Sequence, residues 1–144
     1  MKKRIVIIKL RSIVVRNGKC LLLRCSDQGK NKGKWECPGG KPQAHESLVD
    51  SLVRETREET GLSIHINKYF GTSVCRKDNR DIVSLYYLCQ FRGRVKISRE
   101  HLKFAWVNPN EMSKYLFTND YHRELMLTWS IQALKKRIHA THKT

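Results

Sequence analysis

Residues 47 to 60 read as a helix bounded at both ends by residues that stop one, and no other stretch constrains the chain as strongly. Upstream, Pro38-Gly39-Gly40 is a turn, because the residue before a proline avoids the helical region and glycine admits positive φ. Ser47 or Glu46 stands near the helix start, and Gly61 ends it. Leu48, Leu52, Val49 and Val53 are the expected buried stripe. Further along, Glu55, Glu58 and Glu59 fall at i, i+3 and i+4 and so share one face. Like charges so placed cost a helix about a few tenths of a kcal/mol per pair. The chain carries 13 Asp and Glu against 29 Lys and Arg, a formal net charge of +16. Five of those acids nevertheless sit between positions 46 and 59, a local inversion of sign. Two arrangements relieve the repulsion. One is a solvated face with Arg54 and Arg57 as ion-pair partners. The other is a hard divalent cation, since Mg²⁺ and Mn²⁺ prefer carboxylate oxygens.

The rest of the chain alternates strands with helices. Residues 4 to 15 are rich in Ile and Val, Asn17-Gly18 follows, and Cys20-Leu21-Leu22-Leu23 is a second apolar run, so a β-hairpin is expected. Residues 26 to 34 form a polar loop. Strands are expected at 64–75, 82–91 and 103–107, and Asn108-Pro109 opens a short helix around 110–115. A last helix runs from about 120 to 137 with Leu125, Trp129 and Ala133 spaced by four, and the basic tail 135–144 is expected to fray. No repeat, low-complexity segment or boundary divides the chain, so residues 1–144 are expected to form one domain. This order implies an α/β or α+β sandwich.

No segment is long and apolar enough for a membrane helix. The start, Met1-Lys2-Lys3-Arg4, is followed by only Ile5-Val6-Ile7-Ile8 before Lys9 and Arg11 intervene, too short for a secretory leader. A cytoplasmic location is therefore expected. The cysteines, Cys20, Cys25, Cys37, Cys75 and Cys89, are odd in number and contain no Cys-x-x-Cys pair, which indicates neither a disulfide framework nor a zinc site. The positive charge draws in polyanions, from nucleotides to nucleic acid, without choosing among them.

The segment from Gly40 to Leu62 resembles the Nudix box, G-x5-E-x7-R-E-U-x-E-E-x-G-U with U bulky and aliphatic. Gly40, Glu46, Arg54, Glu55, Glu58, Glu59, Gly61 and Leu62 match, and Thr56 replaces the aliphatic residue. His45 stands where relatives usually have glycine. Trp35-Glu36-Cys37-Pro38-Gly39-Gly40 and the Phe104-Ala105-Trp106-Val107 to Asn108-Pro109-Asn110-Glu111 stretch resemble flanking segments of the same family, so the likeness covers about residues 4 to 134.

The resemblance implies an α/β/α sandwich around a mixed β-sheet, and a Mg²⁺- or Mn²⁺-dependent hydrolase that cleaves a phosphoanhydride bond in a nucleoside-diphosphate-containing substrate. Carried over residue by residue, it implies that Glu55, Glu58 and Glu59 bind metal, joined by the carbonyl of Gly39. Arg54 and Glu46 orient these glutamates, and Gly40 and Gly61 allow the turns at either end. Glu100 is the candidate metal ligand or base outside the box, with Glu58 or Glu59 as the alternative base. Arg24 and Lys41 are phosphate candidates. Phe117 could stack on a base, and Asn119 could read its edge or simply cap the last helix.

Among family activities, the short chain looks most like the MutT-like branch, which converts (deoxy)nucleoside triphosphates to monophosphate and pyrophosphate. The alternatives are a Nudix hydrolase of ADP-ribose, a nucleotide sugar, a dinucleoside polyphosphate or RNA 5′ ends, and a non-catalytic Nudix module that binds nucleotide or RNA. Degenerate modules usually lack part of the Glu-x-x-Glu-Glu set, which this chain keeps.

Overall fold

The computed structural model describes residues 3–26 and 29–142, with side chains as far as Arg137; Asp27 and Gln28 of the polar loop and the last two residues of the basic tail lie outside it. The hairpin forms as its sequence dictates. Strand β1 (Ile5–Arg16) turns through Asn17 and Gly18, with φ of 50° and 77°, into β2 (Lys19–Cys25). Left-handed values at both central residues give the turn a twist that matches the strands, which is why Asn-Gly is favoured there. A second hairpin joins β5 (Ser63–Lys77) to β6 (Arg80–Arg92) through Asp78 (φ 52°) and Asn79.

These pieces assemble into one mixed sheet. β1 pairs parallel with β6 from Ile5↔Arg80 to Val14↔Cys89 and antiparallel with β2 near the turn. β2 in turn carries β3 (Trp35–Glu36) on one edge and β7 (His101–Val107) on the other. β4 (Gly39–Gly40) pairs with Leu10 and Arg11 in the middle of β1. Helix α1 (Leu48–Thr60) covers one face and helix α2 (Asp120–His142) the other.

Two apolar cores separate these layers. Leu10, Val14, Leu21, Leu23, Leu52, Leu62 and Ile64 pack under α1, while Ile13, Cys20, Leu22, Met112, Met126 and Trp129 pack under α2. The alternation along β2, Leu21 and Leu23 to one side and Cys20 and Leu22 to the other, follows from the two-residue period of a strand buried on both faces. The expected α/β/α sandwich is thus the fold.

Several expectations need correction. Leu48 and Val49 are exposed. The buried side of α1 is Ser51, Leu52, Thr56, Glu59 and Thr60, so the stripe continues through polar side chains that a search for apolar periodicity passes over. Thr56 is fully buried because its hydroxyl meets Ser12 Oγ of β1 at 3.1 Å, so the departure from an aliphatic residue is matched on the facing strand. The short helix expected around 110–115 is present as a 3-10 helix over residues 109–114, with Pro109 in its first turn. Helix α2 continues past position 137 to His142, since Lys, Arg and Ala are good helix formers.

Gly39 (φ 147°) is where the chain can least accept a side chain, because a Cβ there would lie 1.8 Å from the Leu10 carbonyl oxygen of β1. Gly39→Ala should therefore destabilise the protein by about 3 kcal/mol or more, measured by urea unfolding. A loss of under about 1 kcal/mol would show that β4 does not need this close approach.

Candidate active site

Helix α1 begins at Ser47, whose hydroxyl accepts from Asp50 N at 3.0 Å, and ends at Gly61 in the left-handed conformation, whose N–H donates to Arg57 O at 2.8 Å. These caps fix the phase of the helix and hence the direction of its glutamates. The face splits into two environments.

On the outer side, Arg54 gathers three carboxylates. It holds Glu46 with two bonds, Nε to Oε2 at 2.7 Å and Nη2 to Oε1 at 2.9 Å, and its Nη1 reaches Glu55 at 3.0 Å and Glu58 at 3.2 Å. Hydrogen bonds from Arg54, then the Gln43 N–H, hold Glu46 down to about 2. Arg54 is raised in turn, chiefly by Glu46. Arg57 takes no part in this cluster and reaches Ser63 Oγ at 3.3 Å. His45, beside Glu46, has φ 66°, the left-handed value a glycine would take without strain.

On the inner side, Glu59 is buried. Burial pushes its carboxyl up to about 8 against the pull of the Arg11 guanidinium, and Glu36 and Glu100 add to the rise while the Gly39 N–H opposes it. Its Oε2 has no hydrogen-bond partner among the described residues and lies 3.9 Å from His101 Nε2. Burial also raises Glu55, with Glu58 and Glu100 as like-charged neighbours. Gly40 lies beneath Glu55: a Cβ on it would come within 2.6 Å of the Glu55 carboxyl carbon. The structure thus brings Glu55, Glu58, Glu59, Gly39 and Gly40 together, with Glu100 close enough to be felt by Glu55 and Glu59.

A buried chain of charge supports Glu59 from the sheet. Arg11 Nη2 lies 3.4 Å from Glu36 Oε2, its Nη1 donates to Cys37 O at 2.9 Å, and Glu36 Oε1 meets His101 Nε2 at 3.1 Å. Burial alone would raise Glu36, but Arg11 and then His101 carry it down to about 2. No functional role for Arg11, Glu36 or His101 follows from the sequence alone. Their one local signal was a charged residue interrupting an apolar strand, as Arg11 does.

Arg11 and Glu36 also line a polar cleft of about 80 Å³ on the α2 side, together with Lys9, Asn31, Tyr86, Asn119 and His122. A larger, more open groove of about 650 Å³ over Ile64, Cys89 and Phe91 shares no residue with this cleft and holds no carboxylate. Asn119 caps α2, its Oδ1 accepting from His122 N at 2.8 Å, and the residue also borders the cleft. Phe117 is corrected from a stacking residue to a core one, 4% exposed and packed against the His122 ring. Arg24 Nε donates to Gly33 O at 3.2 Å and braces the polar loop. Lys41 lies near Lys9, contributing to its lowered pKa, which burial dominates.

A cluster of carboxylates at the helix–loop junction, over a glycine strand that has no room for side chains, is what the box pattern requires, and the comparisons agree. The NUDIX domain family profile matches residues 9–129. The chain belongs to the Nudix family. It is 32% identical to the CTP pyrophosphohydrolase of Escherichia coli over 72% of this chain and 77% of that protein. It is 28% identical to the 8-oxo-dGTP diphosphatase of Buchnera aphidicola over 73% and 79%. Among solved structures, the MutT protein from Methanosarcina mazei superposes with a TM-score of 0.81 at 26% identity, covering 92% of this chain and 98% of that one.

The Glu59 environment makes a stability prediction. A buried carboxyl raised from 4.5 to about 8 keeps its proton in the folded state and loses it in the unfolded state, so stability falls as pH rises from 4.5 through about 8. In metal-free buffer near neutral pH, Glu59→Gln should unfold at higher urea than the parent, by on the order of 3 kcal/mol. The gap should close toward pH 4.5. A variant less stable than the parent at every pH would contradict the burial argument.

Proposed function

We propose that this Nudix hydrolase converts nucleoside triphosphates to monophosphate and pyrophosphate with Mg²⁺ or Mn²⁺. One observation carries the substrate class: Arg11 and Glu36 border both the buried Glu59 and the polar cleft with Asn119. A nucleotide whose base enters the cleft would therefore run its phosphates toward the glutamates. The CTP pyrophosphohydrolase and 8-oxo-dGTP diphosphatase names among the relatives support the same class.

The donors fit a hard dication. They are carboxylate oxygens of Glu55, Glu58, Glu59 and Glu100 with the Gly39 carbonyl, and the buried Glu59 Oε2 lacks any other partner. When bound, such an ion neutralises phosphate charge and makes attacking water more acidic. The protein's own groups do the rest. Arg54 and Glu46 fix the rotamers of Glu55 and Glu58, so little ordering remains to be done at binding. Glu100, on the segment leading into β7, is the proposed acceptor of the attacking water's proton, and Arg11, Lys9 and Lys41 supply positive charge toward the phosphates. Asn119 contributes an amide to the base edge.

The test is a panel of (deoxy)nucleoside triphosphates, oxidised nucleotides, ADP-ribose, dinucleoside polyphosphates and capped RNA with Mg²⁺, followed by product identification. Triphosphates should yield monophosphate and pyrophosphate, and Glu58→Gln should lower turnover by about 100-fold or more with little change in metal-free nucleotide binding. Turnover confined to ADP-ribose, dinucleoside polyphosphate or RNA ends would overturn the substrate class. Unchanged turnover in Glu58→Gln would remove that residue from the metal site.

A further inference from the structure

Behind the glutamate helix, three strands bring a thiol, a carboxylate and an imidazole together. Cys25 ends β2, Glu36 lies on β3 opposite Leu23, and His101 begins β7 opposite Cys25. Glu36 and Cys25 share a face because Leu23 and Cys25 are two residues apart on one strand. His101 joins them through a break in the ladder: Arg24 pairs with Lys103 but Cys25 pairs with His101, so Leu102 is skipped. That irregularity leaves Leu102 exposed at 41% and turns His101, 7% exposed, inward. One donor atom from each of Cys25, Glu36 and His101 lies within 4.8 Å of the others. The Cys25 backbone is held on both sides by the polar loop, its N–H to Lys34 O at 2.8 Å and its carbonyl from Gly33 N at 3.3 Å.

We propose that Cys25, Glu36 and His101 form a second metal site, for a thiophilic divalent cation of the zinc class, with Glu59 as the fourth ligand. The independent observation is the Glu59 carboxylate. It is 5% exposed in its side chain, its Oε2 has no hydrogen-bond partner among the described residues, and it faces the cluster 3.9 Å from His101 Nε2.

The chemistry separates this site from the outer glutamates. Sulfur and imidazole favour zinc over magnesium, whereas Glu55, Glu58 and Glu100 offer only oxygen. Charge also balances. A dication and the Arg11 guanidinium offset the Cys25 thiolate and the Glu36 and Glu59 carboxylates. Glu36 can serve both neighbours, Oε1 to the metal and Oε2 to Arg11, which already lies 3.4 Å away. Among the described residues His101 Nδ1 has no partner, so the ring proton can shift there and free Nε2, which gives up its contact with Glu36 Oε1 to the metal. Tetrahedral zinc places its donors roughly 3.3 to 3.8 Å apart, so Cys25, Glu36 and His101 must draw in from within 4.8 Å and Glu59, near His101 but outside that trio, must move toward it. Binding releases the Cys25 thiol proton and, below about pH 8, the Glu59 carboxyl proton as well.

Occupation draws Glu59 away from the outer site, so zinc should inhibit Mg²⁺-dependent hydrolysis. That consequence rests on the proposed function, while the site itself does not.

The experiment titrates the full chain with Co²⁺ in excess Mg²⁺ and reads the optical spectrum. One equivalent should give a sulfur-to-cobalt charge-transfer band and tetrahedral visible bands, both displaced by Zn²⁺. Cys25→Ser should abolish the charge-transfer band with an unchanged urea midpoint, and His101→Gln should weaken binding at least tenfold. Glu58→Gln should keep the full spectrum, which distinguishes this site from the outer one. Absence of a thiolate band in the parent would overturn the proposal. So would an equal band in Cys25→Ser, which would put the cation on another cysteine, or undiminished affinity in His101→Gln should Cys25→Ser fail to fold.

Discussion

The structure depends on the close contact of helix α1 with the two-residue glycine strand at the middle of β1. A Cβ at Gly39 would strike the Leu10 carbonyl oxygen, and one at Gly40 would strike the Glu55 carboxyl. Removing both side chains lets backbone and carboxylates approach to a distance no other residue type permits. The caps at Ser47 and Gly61 then hold the helix in phase above the strand. From that contact follow the burial of Glu59, its bond to the Gly39 N–H and the meeting of box and sheet.

Electrostatics explain why such an arrangement is poised. The molecule is strongly cationic, yet its carboxylates converge on one helix end. Arg54 bridges the outer three and offsets part of their charge, and Arg11 partly offsets the inner one. Both arginines are also structural braces, so the anionic cluster is stiff before any ligand arrives. A carboxylate left without a hydrogen-bond partner in the interior, as Glu59 Oε2 is, costs stability that a bound cation would return. Family membership and this local imbalance point the same way.

Much of this was legible in the sequence because it is local. Asn17-Gly18, Ser47 and Gly61 act within a few residues, so hairpin and helix bounds could be read directly. The glutamate spacing is a property of one helix. What could not be read is what depends on distant pairing. The parallel register of β1 with β6, the skipped Leu102 and the Arg11–Glu36–His101 chain join residues 25 to 90 positions apart, and no periodicity encodes them. Leu48 and Val49 misled because apolar side chains in a first helical turn need not face the sheet. Phe117 misled because an aromatic residue before a helix serves a core as readily as a ligand.

On the proposed function, the converged carboxylates hold a hard dication. Calorimetric titration of the purified chain with Mn²⁺ and Mg²⁺, with and without a non-hydrolysable nucleotide, tests it most directly. Uptake should be saturable, tighten with nucleotide and be lost when Glu55 and Glu58 are both changed to Gln. No uptake under either condition would contradict it.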